Sequence, residues 1–222
     1  MSLLGRLRSL WSGPGSGEID DARWVVVDVE SSGLDASRDR LLAIAAVALH
    51  FDAARRRPRI VLADGFEVVL RQDDAEPVDK ANILLHGIGV GAQRAGVDPP
   101  VALARWRDWL GRSPLVAYHG AFDATLIGRA ARAQLRADLP NPWLDLAPLA
   151  AVLHADPQRR GLDHWLQRHG IACLGRHAAA ADALATAELL LALWPALRGR
   201  CDGSFAAVED LSQGQRFLPG RR

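Results

Sequence analysis

The 222-residue sequence predicts a mixed α/β fold, a sheet covered by helices, and two observations carry that prediction. Three strand-like segments, 23–30, 41–51 and 59–70, follow one another through short connections, which is typical of an antiparallel meander. The pattern then changes to helix-like segments that enclose one short apolar strand. Strands followed by a helix, a strand and further helices are the element order of a mixed sheet flanked by helices.

The strand candidates are apolar at nearly every position. The first contains WVVVDVE, the second reads LLAIAAVALHF and the third reads RIVLADGFEVVL. The segments SSGLDASRDR and DAARRRP separate them and carry the small, polar and proline residues of turns. Apolar runs bounded by turn signals indicate strands.

The later elements are bounded by proline and glycine. Residues 99–111 read PPVALARWRDWLG, with proline at the start of a helix and glycine at its end. Residues 114–118 form a short apolar strand candidate, and residues 122–135 have helical spacing. Two further helices are predicted over 162–170 and 178–194, the second with Pro195 near its end.

The chain is expected to divide into three parts. Residues 1–20 combine a short amphipathic stretch with the flexible segment SGPGSGE and are expected to form an arm and linker. Residues 21–197 are expected to form the folded domain, and residues 198–222 a C-terminal tail. No internal repeat is present.

Composition excludes a strongly basic nucleic-acid-binding class. The chain is 49% hydrophobic and 24% charged with a formal net charge of +1, so any nucleic-acid binding must come from local clusters. Basic charge is almost entirely arginine, which suits phosphate binding but equally fits a biased genome. Two clusters stand out, one at Arg55, Arg56, Arg57 and Arg59 and one at Arg198, Arg200, Arg216, Arg221 and Arg222.

Cysteine usage and hydropathy favour a cytoplasmic protein. Cys173 and Cys201 have no CxxC spacing, which argues against disulfides and structural zinc. The N-terminus lacks the apolar run and small-residue cleavage site of a signal peptide. No stretch reaches the roughly 18 to 20 uninterrupted apolar residues of a membrane span, so no membrane association is expected.

The first strand candidate ends in two carboxylates. Asp28 and Glu30 stand two residues apart, so both project from one face of the strand, about 7 Å apart along it. Two carboxylates about 4 Å apart repel by roughly 4 kcal/mol at an effective dielectric constant near 20, so a buried pair needs a cation or a proton. The alternative is that Glu30 already lies in the following loop and is solvated.

Three more polar residues occupy suggestive positions. Asp123 falls in the first turn of a predicted helix, where it could simply stabilise the helix N-terminus. His177 and Asp182 stand five residues apart where the last long helix begins, with His177 on the loop after Gly175. Solvation at the surface is the ordinary alternative for both.

Taken in order, these motifs resemble the DnaQ-like exonucleases of the DEDDh class. The resemblance rests on DVESSGL with Asp28 and Glu30, VAYHGAFD with Asp123, and HAAAAD with His177 and Asp182. It extends over roughly 22–196 and includes LLHGIG and WLDLAPLA. It implies a ribonuclease H-like fold, with parallel strands added to the antiparallel meander. Many members have a threonine pair where this chain has Ser31 and Ser32, and often His-Asn where it has Tyr118 and His119.

The resemblance implies a role for each motif residue. Asp28, Glu30, Asp123 and Asp182 would hold two divalent cations, Mg²⁺ or Mn²⁺, and His177 would be the general base. Substrate contacts are implied for seven residues: Ser31, Ser32, Gly33, Leu34, His86, His119 and Phe122. The alternative for His86 is an interior histidine held by the backbone. Asp145 is predicted to cap a helix rather than to bind metal.

The function implied by the resemblance is 3′ to 5′ exonuclease activity on single-stranded or frayed DNA, as in proofreading or repair, with release of nucleoside monophosphates. One alternative is an exoribonuclease that trims RNA, and another is a catalytically silent module that binds a polymerase or nucleic acid. The implied partners are 3′ ends of single strands, DNA in preference to RNA. Residues 211–220, LSQGQRFLPG, are similar to clamp-docking peptides, so a polymerase or sliding clamp is a further expected partner; the alternative is a disordered tail.

Overall fold

A computed structural model describes residues 18–54, 57–73 and 80–214. Within these ranges lie five strands: β1 (Arg23–Ser31), β2 (Leu41–His50), β3 (Arg59–Val69), β4 (Leu115–Ala117) and β5 (Trp143–Asp145). The same ranges hold eight helices: α1 (Lys80–His86), α2 (Val90–Arg94), α3 (Pro99–Leu110), α4 (Ala121–Leu135), α5 (Leu146–His154), α6 (Leu162–His169), α7 (Ala179–Arg198) and α8 (Phe205–Ser212).

The strands form one mixed sheet in the order β3-β2-β1-β4-β5. β1 pairs antiparallel with β2, and β2 pairs antiparallel with β3, which confirms the predicted meander. β4 lies parallel to β1, with Val25 opposite Leu115, and β5 lies parallel to β4. Parallel pairing brings the carboxyl ends of β1 and β4 to the same edge of the sheet.

The alternation of β1 separates two hydrophobic cores. Trp24 and Val26 pack into a core formed with α5, α6, α7 and α8, whereas Val25, Val27 and Val29 pack on the other face against α3 and α4. Both faces of β1 are therefore covered by helices, which explains why its sequence is apolar at consecutive positions. This strand is the centre of the fold.

Element boundaries agree closely with the sequence prediction for the long elements. α3 ends at Leu110 with Gly111 as its C-cap, and α4 covers the predicted 122–135 segment. α7 continues through Pro195 to Arg198, beyond the predicted end. The short elements β5, α1 and α2 were not predicted, because three to seven residues carry too little periodicity to reveal them.

The expected tail at 198–222 is wrong for residues 205–212, which form α8. The Ser204 hydroxyl accepts a hydrogen bond from the Ala207 N–H and caps this helix. Phe205 and Val208 are buried, and the Phe205 ring lies edge-on to Trp24 at 5.1 Å between ring centroids. Apolar burial against the first strand therefore holds α8 in the folded body. Ile19 also packs on this core, close to the expected start of the domain.

Several predictions from the sequence fall outside the described residues. They concern the N-terminal arm up to residue 17, the pair Arg55 and Arg56, and residues 215–222 with Arg216, Arg221 and Arg222. Most of the clamp-like segment 211–220 lies there too.

Among the described helices, α7 alone is long and apolar enough to cross a membrane by length and composition. In this fold 56% of its apolar stretch is buried. It packs against the central strands as the main helix of one core.

Candidate active site

Asp28 and Glu30 project from the α7 side of β1. They continue the alternation of Trp24 and Val26, which pack on that side. Their partners across the strand pair are Ala45 and Ala43 of β2. The first half of α7 is also rich in alanine, so small side chains on both surfaces let the helix lie close to the sheet. The expectation that both carboxylates share a face is thus confirmed.

Asp123 reaches the same edge of the sheet from β4. The strand ends at Ala117 and α4 begins at Ala121, which places Asp123 in the first helical turn with 5% of its surface exposed. Its carboxylate accepts hydrogen bonds from its own backbone N–H and from that of Val29. The bond to Val29 means that Asp123 does more than stabilise its own helix, since it contacts the strand that carries Asp28 and Glu30.

Asp182 approaches from the opposite helix layer. It lies in the first turn of α7, and only 4% of its surface is exposed, which rules out surface solvation. Its Oδ2 accepts a hydrogen bond of 3.0 Å from the His177 N–H, and its Oδ1 forms an ion pair with Arg176. The start of the same helix also holds Glu30, whose carboxylate accepts the Ala179 N–H. Glu30 is therefore tied to the helix rather than solvated in the loop.

The carboxylates raise one another's pKa. Burial, followed by the charges of Asp123, Asp182 and Glu30, raises the pKa of Asp28 well above its usual range. Burial and then the charge of Asp182 raise the pKa of Glu30 to about 8. Burial, partly offset by its backbone hydrogen bonds, raises the pKa of Asp123 to about 7. Such a group must hold protons near neutral pH or be neutralised by a cation.

The donor set fits hard divalent cations. Four carboxylates offer only oxygen ligands, which Mg²⁺ and Mn²⁺ prefer. Glu30 Oε1 is buried and has no hydrogen-bond partner in the described part of the chain, so a cation could complete its coordination. Across residues 18–54, 57–73 and 80–214, no three acidic, histidine or cysteine side chains already stand in metal-ligand geometry. The Arg176 ion pair, which engages Asp182, is the visible contact that an incoming cation would have to replace.

His177 lies on the loop that precedes α7, as predicted. Its residue is exposed, and its backbone has a φ of 63°, in the left-handed region. Its backbone N–H contacts the cluster through the bond to Asp182 Oδ2. An exposed imidazole beside a buried acidic cluster can accept a proton from a water at the cluster.

The loop after Glu30 is organised by a residue that sequence reasoning missed. Asp39 Oδ1 accepts from the Ser32 hydroxyl at 2.9 Å, and Asp39 Oδ2 accepts from the Asp35 N–H at 2.7 Å. A Cβ on Gly33 would lie 2.5 Å from Asp39 Oδ2, so a larger residue here would displace the Asp39 carboxylate. The Ser31 hydroxyl donates to the Gly33 carbonyl at 2.5 Å. Leu34 projects from the loop with 93% of its surface exposed.

Two neighbouring elements support that loop. Arg129 of α4 donates to the carbonyls of Ala36 and Asp39, and Asn82 of α1 donates to the Ser31 carbonyl at 2.6 Å. Neither residue was singled out from the sequence. Their partners are backbone carbonyls more than forty residues away, for which the sequence carries no signal.

The remaining predicted site residues occupy different environments. His86 is buried, and its Nδ1 accepts the Ile88 N–H at 3.0 Å, as the interior alternative expects. His119 is exposed, and its N–H donates to Asp145 Oδ1 at 3.0 Å. Phe122 packs half-buried against the α3–α4 core. Asp145 also accepts the Ala147 N–H at 2.9 Å, so its predicted role as a helix cap is confirmed.

Comparison with known proteins agrees with this arrangement. A model of the RNase_T family, described as exonuclease, matches residues 25–190. A DNA polymerase III subunit epsilon-like protein of Rhodobacter capsulatus is 30% identical over 197 residues, which cover 86% of this chain and 26% of that protein. DNA polymerase III PolC-type of Bacillus subtilis is 27% identical over 174 residues, covering 78% of this chain and 11% of that protein.

The fold is shared with E. coli exonuclease I. Its complex with a dT13 oligonucleotide superimposes with a TM-score of 0.65 at 18% identity and covers 78% of this chain and 41% of that chain. Its complex with a dA16 oligonucleotide gives a TM-score of 0.67 at 18% identity, covering 81% and 43%. The chain thus spans well under half the length of these proteins and about a quarter or less of the two polymerase III relatives.

The family model spans every strand of the sheet from Val25 of β1 onward and contains the four clustered carboxylates and His177. The mixed sheet and its flanking helices are those of the ribonuclease H-like fold seen in exonuclease I. This chain therefore belongs to the DnaQ-like exonuclease family.

Proposed function

We propose that this protein is a metal-dependent 3′ to 5′ exonuclease that removes nucleotides one at a time from single-stranded or frayed DNA. The observation that carries the proposal is the acidic cluster, in which Asp123 and Asp182 are buried and Asp28 and Glu30 are half-buried. Asp28, Glu30, Asp123 and Asp182 come from β1, α4 and α7, and the charges of the other three raise the pKa of Asp28. A fold that holds four carboxylates this way pays a cost in stability that a cation-dependent reaction explains.

The four carboxylates would hold two divalent cations, Mg²⁺ or Mn²⁺. When bound, such a pair lowers the pKa of an attacking water and stabilises the charge on the leaving oxygen. Asp28 would be one of these ligands, since the charges of the other three carboxylates raise its pKa and that of Arg176 lowers it.

His177 supplies the proton acceptor. Its imidazole would take a proton from the water as the water oxygen bonds to phosphorus and the bond to the 3′ oxygen breaks, and the leaving oxygen would gain a proton from solvent. The products are a nucleoside 5′-monophosphate and a strand that ends in a 3′ hydroxyl. The exposed position of His177 on a loop lets the ring approach a phosphodiester from solvent.

The loop formed by residues 31–40 would receive the terminal nucleotide. Asp39, Arg129 and Asn82 fix its backbone, and Leu34 stands out from it as an apolar side chain for a base. Base contact with an apolar side chain is tolerant of sequence. His119 is exposed near Asp145 and is a second candidate for substrate contact. Phe122 would support the site indirectly, by packing on the α3–α4 core.

The comparisons favour DNA as the substrate. The relatives bear the names of DNA polymerase III proteins, and the exonuclease I structures contain dT13 and dA16 oligonucleotides. On this basis we propose single-stranded DNA 3′ ends as the partner, together with a role in proofreading or repair and a cytoplasmic location. Association with a polymerase or a sliding clamp is a further part of the proposal, for which the segment 211–220 is the candidate contact.

A side-by-side digestion tests this function. The purified protein is incubated with 5′-labelled single-stranded DNA, paired duplex, 3′-mispaired duplex and RNA of one sequence, with Mg²⁺ or with Mn²⁺. We expect shortening from the 3′ end that is fastest on single-stranded and mispaired DNA. Faster shortening of RNA would replace the proposal with the exoribonuclease, and no shortening of any substrate would leave only the silent binding module.

A further inference from the structure

Arg176 lies against the acidic cluster and forms two ion pairs there. Its Nη1 contacts Asp182 Oδ1, and its Nε donates to Asp163 Oδ1 of α6 at 2.5 Å. Its charge also counteracts the rise in pKa of Asp28 and of Glu30. The guanidinium is therefore the positive charge that three of the four carboxylates share.

Both oxygens of Asp182 already have partners while this ion pair persists. Oδ1 is engaged by Arg176 and lies 3.5 Å from the Cys173 thiol, and Oδ2 accepts the His177 N–H. The carboxylate is almost completely buried, which leaves little room for a further ligand beside the guanidinium. A cation that binds Asp182 must take the place of the Arg176 guanidinium.

The exchange would also act on His177. Arg176 is its immediate neighbour in the chain, and His177 has a left-handed backbone, with a φ of 63°, that is strained for a residue with a side chain. Withdrawal of the guanidinium from Asp182 would remove one of the two ion pairs that hold the residue before His177. The two ion pairs of Arg176 thus fix the loop that carries the proposed general base between α6 and α7.

We propose that Arg176 is a resident cation that occupies the acidic cluster in place of metal and positions His177, and that divalent cations bind by displacing it. This proposal rests on the proposed function, since it takes the cluster as the metal site. It assigns Arg176 a positioning role, with Asp163 as the residue that holds the guanidinium on the α6 side.

Calorimetric titration with Mn²⁺ tests the exchange, and the key variant is Arg176→Gln. Without the competing charge we expect Mn²⁺ to bind about tenfold more tightly than to the wild type, since a single charge beside the ligands is removed. In the absence of metal the variant should melt at a lower temperature, because Asp182 loses its buried partner. A residue with only a structural role would lower both stability and affinity, so a rise in affinity is specific to competition.

Two further variants complete the design. Arg168→Gln removes an arginine whose guanidinium lies over Trp165, and its Mn²⁺ affinity should equal that of the wild type, which controls for net charge. Asp163→Asn keeps Arg176 but removes its ion pair with α6. The Mn²⁺ affinity of this variant should lie between those of the wild type and Arg176→Gln. This variant decides the question if Arg176→Gln does not fold.

The outcomes separate the two proposals. If the wild type binds Mn²⁺ through Asp28 but neither Arg176→Gln nor Asp163→Asn binds more tightly, Arg176 is not a competitor and this inference is overturned. An equal gain in Arg168→Gln would overturn it as well. If no protein in the set binds Mn²⁺ in a way that Asp28→Asn removes, the proposed function itself fails.

Discussion

In the metal-free protein, the partial burial of Glu30 opposes the ionisation of its carboxylate. One carboxylate oxygen has no partner among the described residues, the Ala179 N–H donates to the group, and its pKa rises to about 8. A buried carboxylate in this state is stabilised by a proton or a cation and is costly as a bare anion. The cation binding proposed for the site follows from the raised pKa of Glu30 and from the raised pKa values of Asp28 and Asp123.

The first prediction concerns the pH dependence of stability without metal. The pKa of Glu30 is 4.5 when unfolded and about 8 when folded, so the folded state holds the extra proton between these values. The stabilisation is complete below about pH 4.5 and is lost as the pH rises through about 8. Because Glu30 is only partly buried, solvent screens part of the effect, and we expect a loss on the order of 2 kcal/mol from this residue.

Urea unfolding in EDTA at pH 5 and pH 8 measures this loss. The free energy of unfolding of the wild type should be lower at pH 8, and Glu30→Gln, which cannot titrate, should show a smaller difference. The pKa of Asp123 is raised to about 7, so this residue should still cause part of the pH dependence of stability in Glu30→Gln. Equal slopes for the two proteins would show that Glu30 is not perturbed by burial.

The second prediction concerns His177. Asparagine tolerates the left-handed backbone at this position but cannot accept the proton, so His177→Asn should lose roughly 10²- to 10⁴-fold in the rate of hydrolysis. The four carboxylates remain, so the Mn²⁺ affinity measured by calorimetry should stay within about threefold of the wild type. A variant that hydrolyses DNA at the wild-type rate would remove His177 from the mechanism.

At the scale of single residues, the sequence predicted the site residues but not the side chains that contact them. Asp28, Glu30, Asp123, His177 and Asp182 were found because their order along the chain matches a family, although each alone had an ordinary alternative. The contacts of Arg176 and Asp39 depend on the path of loops and on neighbours across space. Nothing in the local residue pattern encodes such contacts.

At the scale of elements, the close approach of α7 to β1 and β2 builds the site. Ala43 and Ala45 face the helix from β2, and alanines fill the first turns of α7, so Asp182 can reach carboxylates on the strand. The apolar pattern predicted both elements, since each is long and strongly patterned. It could not predict their separation, which depends on side-chain size at the contact.

The third prediction tests the packing of α8. Phe205 is buried against Trp24, so Phe205→Ala should lower the free energy of unfolding by about 3 to 5 kcal/mol. Ending the chain after Gly203 removes the whole helix and should destabilise the protein at least as much. Ending it after Gly214 keeps every described core contact and serves as the matched control.

Thermal unfolding compares the three proteins with the full chain. If the chain that ends after Gly203 melts at the same temperature as the one that ends after Gly214, α8 does not belong to the folded body. The expected tail at 198–222 missed this helix because eight residues with one aromatic anchor give a weak periodic signal.

At the scale of the whole molecule, the covered sheet gives the acidic cluster its rigidity. Helices pack on both faces of β1, so its end is fixed by two cores, and the parallel alignment of β4 brings Asp123 to the same edge. A net charge of +1 provides no general attraction for nucleic acid. Substrate binding must therefore depend on the cluster, its cations and the neighbouring loop.

The fourth prediction addresses the central claim, that this cluster performs 3′ to 5′ hydrolysis. A time course follows 5′-labelled single-stranded DNA with Mn²⁺ for the wild type, Asp28→Asn and the surface control Asp108→Asn on α3. We predict a ladder that shortens one nucleotide at a time for the wild type and the control, and an intact strand for Asp28→Asn at equal folded content. Equal degradation by Asp28→Asn, or cleavage at internal positions from the start, would contradict the account.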